Sequence, residues 1–233
     1  MFSPRGKEED FPYWLVILGI TFAYLFAQVF ADDLYAQVLQ TLTKGVKITV
    51  LVTLIGFALA SVMGLMLAVA SLSDSLVLRQ SARLYIEVVR GVPIIVLLLY
   101  VAFVAAPALV ALRNWAGDAI GLDPIRTRDF SLLWRAILAL AIGYSAFIAE
   151  VFRAGLQAVD VGQIEAAEAL GLNRWQRFRF IVFPQAMRLI LPPLGNDFVA
   201  MVKDSSLVSV LGVLDITQLG KVTAAGNFRY FET

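Results

Sequence analysis

The chain has 233 residues, 60% of them hydrophobic and 16% charged, with 19 basic against 18 acidic groups and a net charge of +1. Soluble domains run about 45–50% apolar and about 25% charged, so these proportions exclude a soluble globular protein and describe an integral membrane protein. The near-zero charge, with basic residues scattered between apolar blocks, gives no field for nucleic acid. The absence of Cys and His removes disulfides, thiol nucleophiles, imidazole bases and the commonest transition-metal ligands, so no catalytic residue and no metal site is read.

Met1 to Asp10 mixes Arg5 and Lys7 with Glu8, Glu9 and Asp10, and no small-residue cleavage site follows. Phe11 to Phe30 therefore reads as a retained first span, anchored by Tyr13 and Trp14 and closed by Asp32 and Asp33. Asp33 to Lys47 carries Leu34, Val38, Leu42 and Val46 at helical spacing, which fits either a helix lying in the interface or an extension of the next span. Ile48 to Leu72 is the second span, where Gly56, Ala60, Ser61 and Gly64 predict a closely packed neighbour.

Ser73 to Arg90 is polar, and Gly91-Val92-Pro93 then opens a third span that runs to about Leu112. Pro93 should bend or begin that span, a break tolerated in a membrane only against protein or a water-filled cavity, which hints at a pore-facing position. Arg113 to Asp129 is expected to be a polar loop turning at Asp123-Pro124. Phe130 to Phe152 is the fourth span, and Glu150 and Arg153, three apart, can pair at its end as an interfacial anchor.

Glu150 to Pro184 is the longest polar, strongly helical interval between apolar blocks. Asp160 with Gln163 has the form of a capping box, Ala166, Ala167, Ala169 and Leu170 are good helix formers, and Gly171 supplies a left-handed stop. A helix of about three turns is expected, followed by a corner at Gly171-Leu172. Asn173 with Gln176 repeats the cap, and Pro184 should stop or kink what Asn173 begins. Small residues beside Glu165 and Glu168 suit docking of a partner; an amphipathic helix lying on the membrane surface fits the spacing equally well.

Ile181 to Val202, the fifth span, is interrupted by Arg188, Pro192-Pro193, Gly195, Asn196 and Asp197. A charge near a bilayer centre costs about 2.5–3.5 kcal/mol on insertion scales, so Asp197 either faces a cavity or sits near the interface, satisfied by Lys203. Lys203 to Gly220 is mixed, with Gly212 and Gly220 bounding an apolar run too short to cross. The positive-inside count does not decide orientation, because the Arg113–Arg135 loop holds as many Arg as the Arg153–Arg179 loop.

Glu165-Ala166-Ala167, three residues, Gly171, nine residues, then Ile181-Val182-Phe183-Pro184 resembles the EAA signature of membrane subunits of ABC importers, with Phe183 where Leu is usual. Phe147-Ile-Ala-Glu150-Val-Phe-Arg153-Ala-Gly155, Tyr85-Ile-Glu-Val-Val-Arg90-Gly-Val-Pro93 and Lys203-Asp-Ser-Ser-Leu-Val-Ser209 look like the polar amino-acid branch of that family, and the resemblance runs from about Leu39 to the end. It implies an all-α integral membrane protein of the type I ABC-importer transmembrane fold, with about five spans visible and a cytoplasmic coupling helix between the fourth and fifth. Residues 1–38 would hold an extra N-terminal span and the start of the interfacial helix, and residues 39–233 the importer domain with its coupling loop at 153–180. Family members continue with one further span, which is expected to be absent from this chain. The ATPase-docking residues would be Gly162, Ile164, Glu165, Ala166, Ala167, Glu168, Ala169, Leu170 and Gly171.

Together with that resemblance, the interruptions place Pro93, Asn196 and Asp197 beside a translocation path. No P-loop pattern occurs, so this chain binds no cofactor of its own, and ATP with Mg belongs to a partner. The implied partners are two ABC ATPase subunits, a second permease chain, identical or related, an extracytoplasmic substrate-binding protein and the lipid of a bacterial plasma (inner) membrane. The expected function is the membrane-spanning part of an ATP-driven importer carrying a polar amino acid into the cytoplasm. The alternative is a secondary transporter or channel subunit without an ATPase, whose folds usually show internal repeats with paired broken helices; this sequence has one strongly interrupted span and no repeat. A membrane-embedded hydrolase would need a carboxylate pair within one span, and none is present.

Overall fold

The computed structural model describes residues 11–31 and 33–227, and every regular element among them is helical. In chain order these are α1 (Tyr13–Ala31), α2 (Asp33–Ser71), α3 (Leu76–Gly91), α4 (Ile94–Tyr100), α5 (Ala106–Asp118), α6 (Leu132–Gln157), α7 (Val161–Ala169), α8 (Arg174–Arg177), α9 (Phe183–Asp204) and α10 (Ile216–Asn227). A π-helical turn at Val101–Ala105 joins α4 to α5, and another at Phe178–Val182 joins α8 to α9.

Of the two readings of Asp33–Lys47, the structure carries the extension: α2 is one helix of 39 residues. At 1.5 Å per residue it is about 58 Å long, well over the roughly 30 Å of a hydrocarbon core. Its buried positions 38, 45, 52, 56, 60, 64, 68 and 71 lie three, four or seven apart and form one stripe, with Thr53 buried beside it. Most of that stripe packs along α6, the neighbour predicted from Gly56 to Gly64, while Gly45 meets Asp215 and Ile216 at the start of α10.

The fourth span, α6, is the centre of the molecule, packed against α2, α3, α4 and α9. It can hold that place because Ala136, Ala139, Ala141, Gly143, Ala146 and Ala149 are small and fully buried, so four neighbours approach its backbone. A Cβ on Gly64 would lie 2.8 Å from Ile148 Cγ2 and 3.1 Å from the Ala149 nitrogen, whereas one on Gly56 would meet nothing nearer than Met201 Sδ at 3.6 Å. Gly64→Val is therefore expected to wedge α2 from α6 at an overpacking cost of about 1–3 kcal/mol, with Gly56→Ala close to neutral. Thermal unfolding of both in detergent checks this, and equal midpoints would refute the close α2–α6 approach.

Three expectations are corrected. Arg113–Asp129 is not a loop throughout, because α5 continues to Asp118. The chain beyond is tied back to that helix: Asn114 Nδ2 donates to the Ile125 carbonyl at 2.8 Å, and Asn114 Oδ1 accepts from the Ile125 nitrogen at 3.0 Å. Gly220 does not end an apolar run but lies inside α10. The buried Asp215 starts that helix, accepting from the Gln218 nitrogen at 2.9 Å and the Thr217 nitrogen at 3.3 Å.

The third correction concerns α9, which passes through Pro192 and Pro193 without leaving α-helical geometry. Two missing N–H groups leave the carbonyls one turn earlier, on Arg188 and Leu189, without their helical donors. Leu189 and Pro193 border a groove against Glu150, Ala154 and Gly155, so α9 turns part of its proline-bearing side toward α6. By length and hydropathy, three helical stretches among the described residues qualify as spans: Tyr35–Ser71, Ile94–Asp118 and Leu132–Gln157. α1 is apolar over the shorter Tyr13–Gln28, and α9, at 22 residues, is long enough but carries Arg188, Asp197, Lys203 and Asp204.

Candidate functional site

The interval between α6 and α9 forms a limb with a sharp corner, set by side chains already visible in the sequence. Asp160 caps α7, although not as a capping box: its Oδ1 accepts from the Gly162 nitrogen at 2.7 Å, and Gln163 returns no side-chain bond. At the other end the Leu172 nitrogen donates to the Ala167 carbonyl at 3.1 Å and the Gly171 nitrogen to the Glu168 carbonyl at 2.9 Å. Those two bonds make a Schellman stop, which places Gly171 at φ +77°. Nothing lies within 4 Å of a Cβ built there, so Gly171 is required by its backbone and not by crowding.

The second cap is complete. The Asn173 nitrogen donates to Gln176 Oε1 and the Gln176 nitrogen to Asn173 Oδ1, both at 2.9 Å. Pro184 does not stop the helix that follows. The π turn just before it, in which the Phe183 nitrogen reaches the Phe178 carbonyl, shifts the bonding pattern by one residue and lets the chain run on into α9.

α7 is presented almost bare. Gly162, Glu165, Ala166, Glu168, Ala169 and Leu170 are exposed, Leu170 at 81%; Ile164 is half-buried and Ala167 alone is buried, where α7 rests on the π turn. The two glutamates differ in a way their spacing did not reveal. Glu168 Oε2 accepts from Arg177 Nη1 at 2.6 Å across the corner, bracing α7 against α8, while Glu165 pairs with no described residue. A helix with a free carboxylate and exposed Val161 and Leu170 can meet a complementary groove without unfolding anything.

The residues assigned to the path fall on two different helices packed against α6. Pro93 caps α4, which packs on α6, whereas Asn196 and Asp197 sit on α9, packed against α2 and α6. Asn196 is exposed; Asp197 is half-buried, and its Oδ2 has no hydrogen-bond partner. Lys203 does not satisfy it, because six residues along an α-helix is 600°, about 120° off the same face. The next residue, Phe198, packs edge-on against Phe57 of α2 at 5.1 Å.

Other polar contacts fix this frame. Glu150 and Arg153 pair at 2.5 Å, as their spacing predicts, and Arg153 also donates to Gln157 at 2.8 Å. Sequence reasoning missed the Tyr144 hydroxyl, which donates to Asp204 at 2.8 Å, and Tyr85, whose hydroxyl lies 3.0 Å from Ser145 Oγ and 3.1 Å from the Ile142 carbonyl. Both link residues about 60 positions apart, beyond the reach of any local pattern.

Comparison with known proteins agrees with this geometry. The family described as binding-protein-dependent transport system inner membrane component matches residues 60–230. The glutamine transport system permease protein GlnP of Escherichia coli K12 is 35% identical over 191 residues, 82% of this chain and 80% of that protein. The probable amino-acid permease protein YxeN of Bacillus subtilis 168 is 35% identical over 193 residues, 83% of this chain and 80% of its own. Among solved structures, a chain from a crystal structure of an amino acid ABC transporter with histidines superposes with a TM-score of 0.68 at 34% identity, covering 84% of each chain.

Proposed function

This chain belongs to the family of inner membrane components of binding-protein-dependent transport systems, and on that footing we propose that it is the membrane-spanning subunit of an ATP-driven importer for a polar amino acid. It is a multi-pass inner membrane protein. The substrate would arrive from an extracytoplasmic binding protein, and ATP with Mg would be hydrolysed on two ABC ATPase subunits docked to a pair of permease chains. The observation that carries this reading is α7: a helix capped at both ends, turned by a glycine at φ +77°, and held away from the bundle except at Ala167. Such a helix is a rigid handle, so a push on it passes through the α8 corner into α9.

Asn196 and Asp197 border the path in this reading, where the unpartnered Asp197 oxygen would meet water or an ammonium group. The expected result for single Cys residues in this Cys-free chain is labelling at 196 and 197 by a water-soluble thiol reagent that changes with substrate or nucleotide, and protection at 198 behind Phe57. The reverse pattern in every state would overturn the facing. For the function as a whole, the test is coexpression with the genomic neighbours. An ATPase subunit should copurify, and purification without any nucleotide-binding partner would count against the importer.

A further inference from the structure

Beside the corner lies a cleft of about 220 Å³ with a wholly apolar wall. Leu65 and Val69 of α2 form one side, Phe152 of α6 the back, and Phe178, Phe183 and Met187 the other side. Its floor is buried, Ala186 at 1% and Ile190 at 2% exposure, but its rim is open: Val69 is 58% exposed and Phe183 48%. Apolar cavities of only about 150 Å³ stay dry and take up apolar guests. Leu65 and Val69 belong to the apolar span of α2, so whatever fills the cleft must offer hydrocarbon at membrane depth.

A second observation comes from the charges on the same limb. Arg174, Arg179 and Arg188 are exposed and pair with no carboxylate among the described residues, whereas Arg177 and Arg153 are each engaged. Between them stand exposed aromatics, Trp175 at 65% and Phe180 at 60%. Aromatic rings favour the headgroup level of a bilayer, and free guanidinium groups there attract anionic lipid. Arg179 directly follows Phe178, a wall of the cleft.

We propose that the cleft and Arg179 form a binding site for one anionic phospholipid, with an acyl chain between α2 and α9 and the phosphate on Arg179. This places α7 and its corner at the cytoplasmic face, and so rests on the functional reading above. A planar guanidinium suits a phosphate oxygen pair, and the apolar cleft supplies the depth a surface patch lacks.

The test is native mass spectrometry of the full chain in mild detergent, titrated with phosphatidylglycerol or with phosphatidylcholine of the same chains. It uses neither nucleotide nor ATPase, so its failure is separate from any failure of the importer reading. One phosphatidylglycerol per chain should be retained in preference to phosphatidylcholine, about fivefold more weakly in Arg179→Gln, with Arg174→Gln, about 140° around the helix, leaving the preference unchanged. Val69→Trp, which narrows the mouth, should release both lipids, and it keeps the proposal testable if an arginine variant fails to fold. The water-soluble headgroup glycerophosphoglycerol should not compete. Equal retention of the two lipids, full competition by the headgroup, or an unchanged preference in Arg179→Gln would each overturn the site.

Discussion

Stimulation of ATP hydrolysis by substrate-loaded binding protein is expected to collapse in the double variant Gly171→Val, Glu165→Arg, while the chain still inserts and folds. Gly171 sits at φ +77° with open space around its α-carbon, so valine meets no clash with a neighbour, only the backbone cost of the left-handed region. That cost is about 1–3 kcal/mol, which lowers the population of the Schellman corner by about 5–150-fold. Glu165 is exposed and pairs with no described residue, so reversing its charge removes nothing from the fold and acts on a partner alone. The two changes reach the same event from different sides, geometry and charge. The measurement is ATPase activity in proteoliposomes with and without loaded binding protein. Unimpaired stimulation would refute the docking role of α7, and restoration by returning Gly171 alone would assign the loss to the corner.

How much of this was legible in the sequence follows from how local each signal is. The α7–α8 corner could be read because caps and left-handed glycines act over three or four residues: Gly171 and the Asn173–Gln176 box stand where the spacing put them. The same locality explains the error at Asp160, whose short side chain closes on Gly162 before Gln163 can reciprocate. Pro192-Pro193 suggested a broken span, because proline removes helical bonds; the rest of α9, held against α2 and α6, keeps the helix in place. The overlooked start of α10 had a legible signal, Asp215 followed by Gln218 in the same cap spacing used elsewhere. The bracing of Glu168 by Arg177 had none, since a nine-residue separation across a turn corresponds to no helical period.

Among side chains that hold the fold, Arg135 should show the largest effect when removed. The sequence reading counted it as a loop charge bounding Arg113–Arg135, yet it lies inside α6 at 6% exposure. It pairs with no carboxylate among the described residues. Its Nη1 donates to the Ala102 carbonyl at 3.0 Å, in the π turn between α4 and α5, its Nε to Phe130 at 2.9 Å, and its Nη2 to the carbonyl of Thr127; its guanidinium also stands 5.8 Å from the Phe130 ring centre. One planar fork thus ties α6 to the irregular third span and to the turn that leads into α6. Arg135→Met keeps the apolar stem but strands the buried Ala102 carbonyl and removes the side-chain donor from the Phe130 carbonyl and from Thr127, whose carbonyl keeps only the Phe130 nitrogen at 3.3 Å; one buried unsatisfied acceptor alone costs about 1–3 kcal/mol. Arg135→Lys keeps the charge, but an ammonium on a single stem cannot address three acceptors in different directions, so it should fall between. Arg128, seven residues earlier, is exposed and pairs with no described residue, and Arg128→Met should stay within about 0.5 kcal/mol of the unaltered chain. Thermal unfolding of the three variants in detergent should give the order Arg128→Met, Arg135→Lys, Arg135→Met from highest midpoint to lowest. If Arg135→Met unfolds together with Arg128→Met, the guanidinium does not hold these elements together.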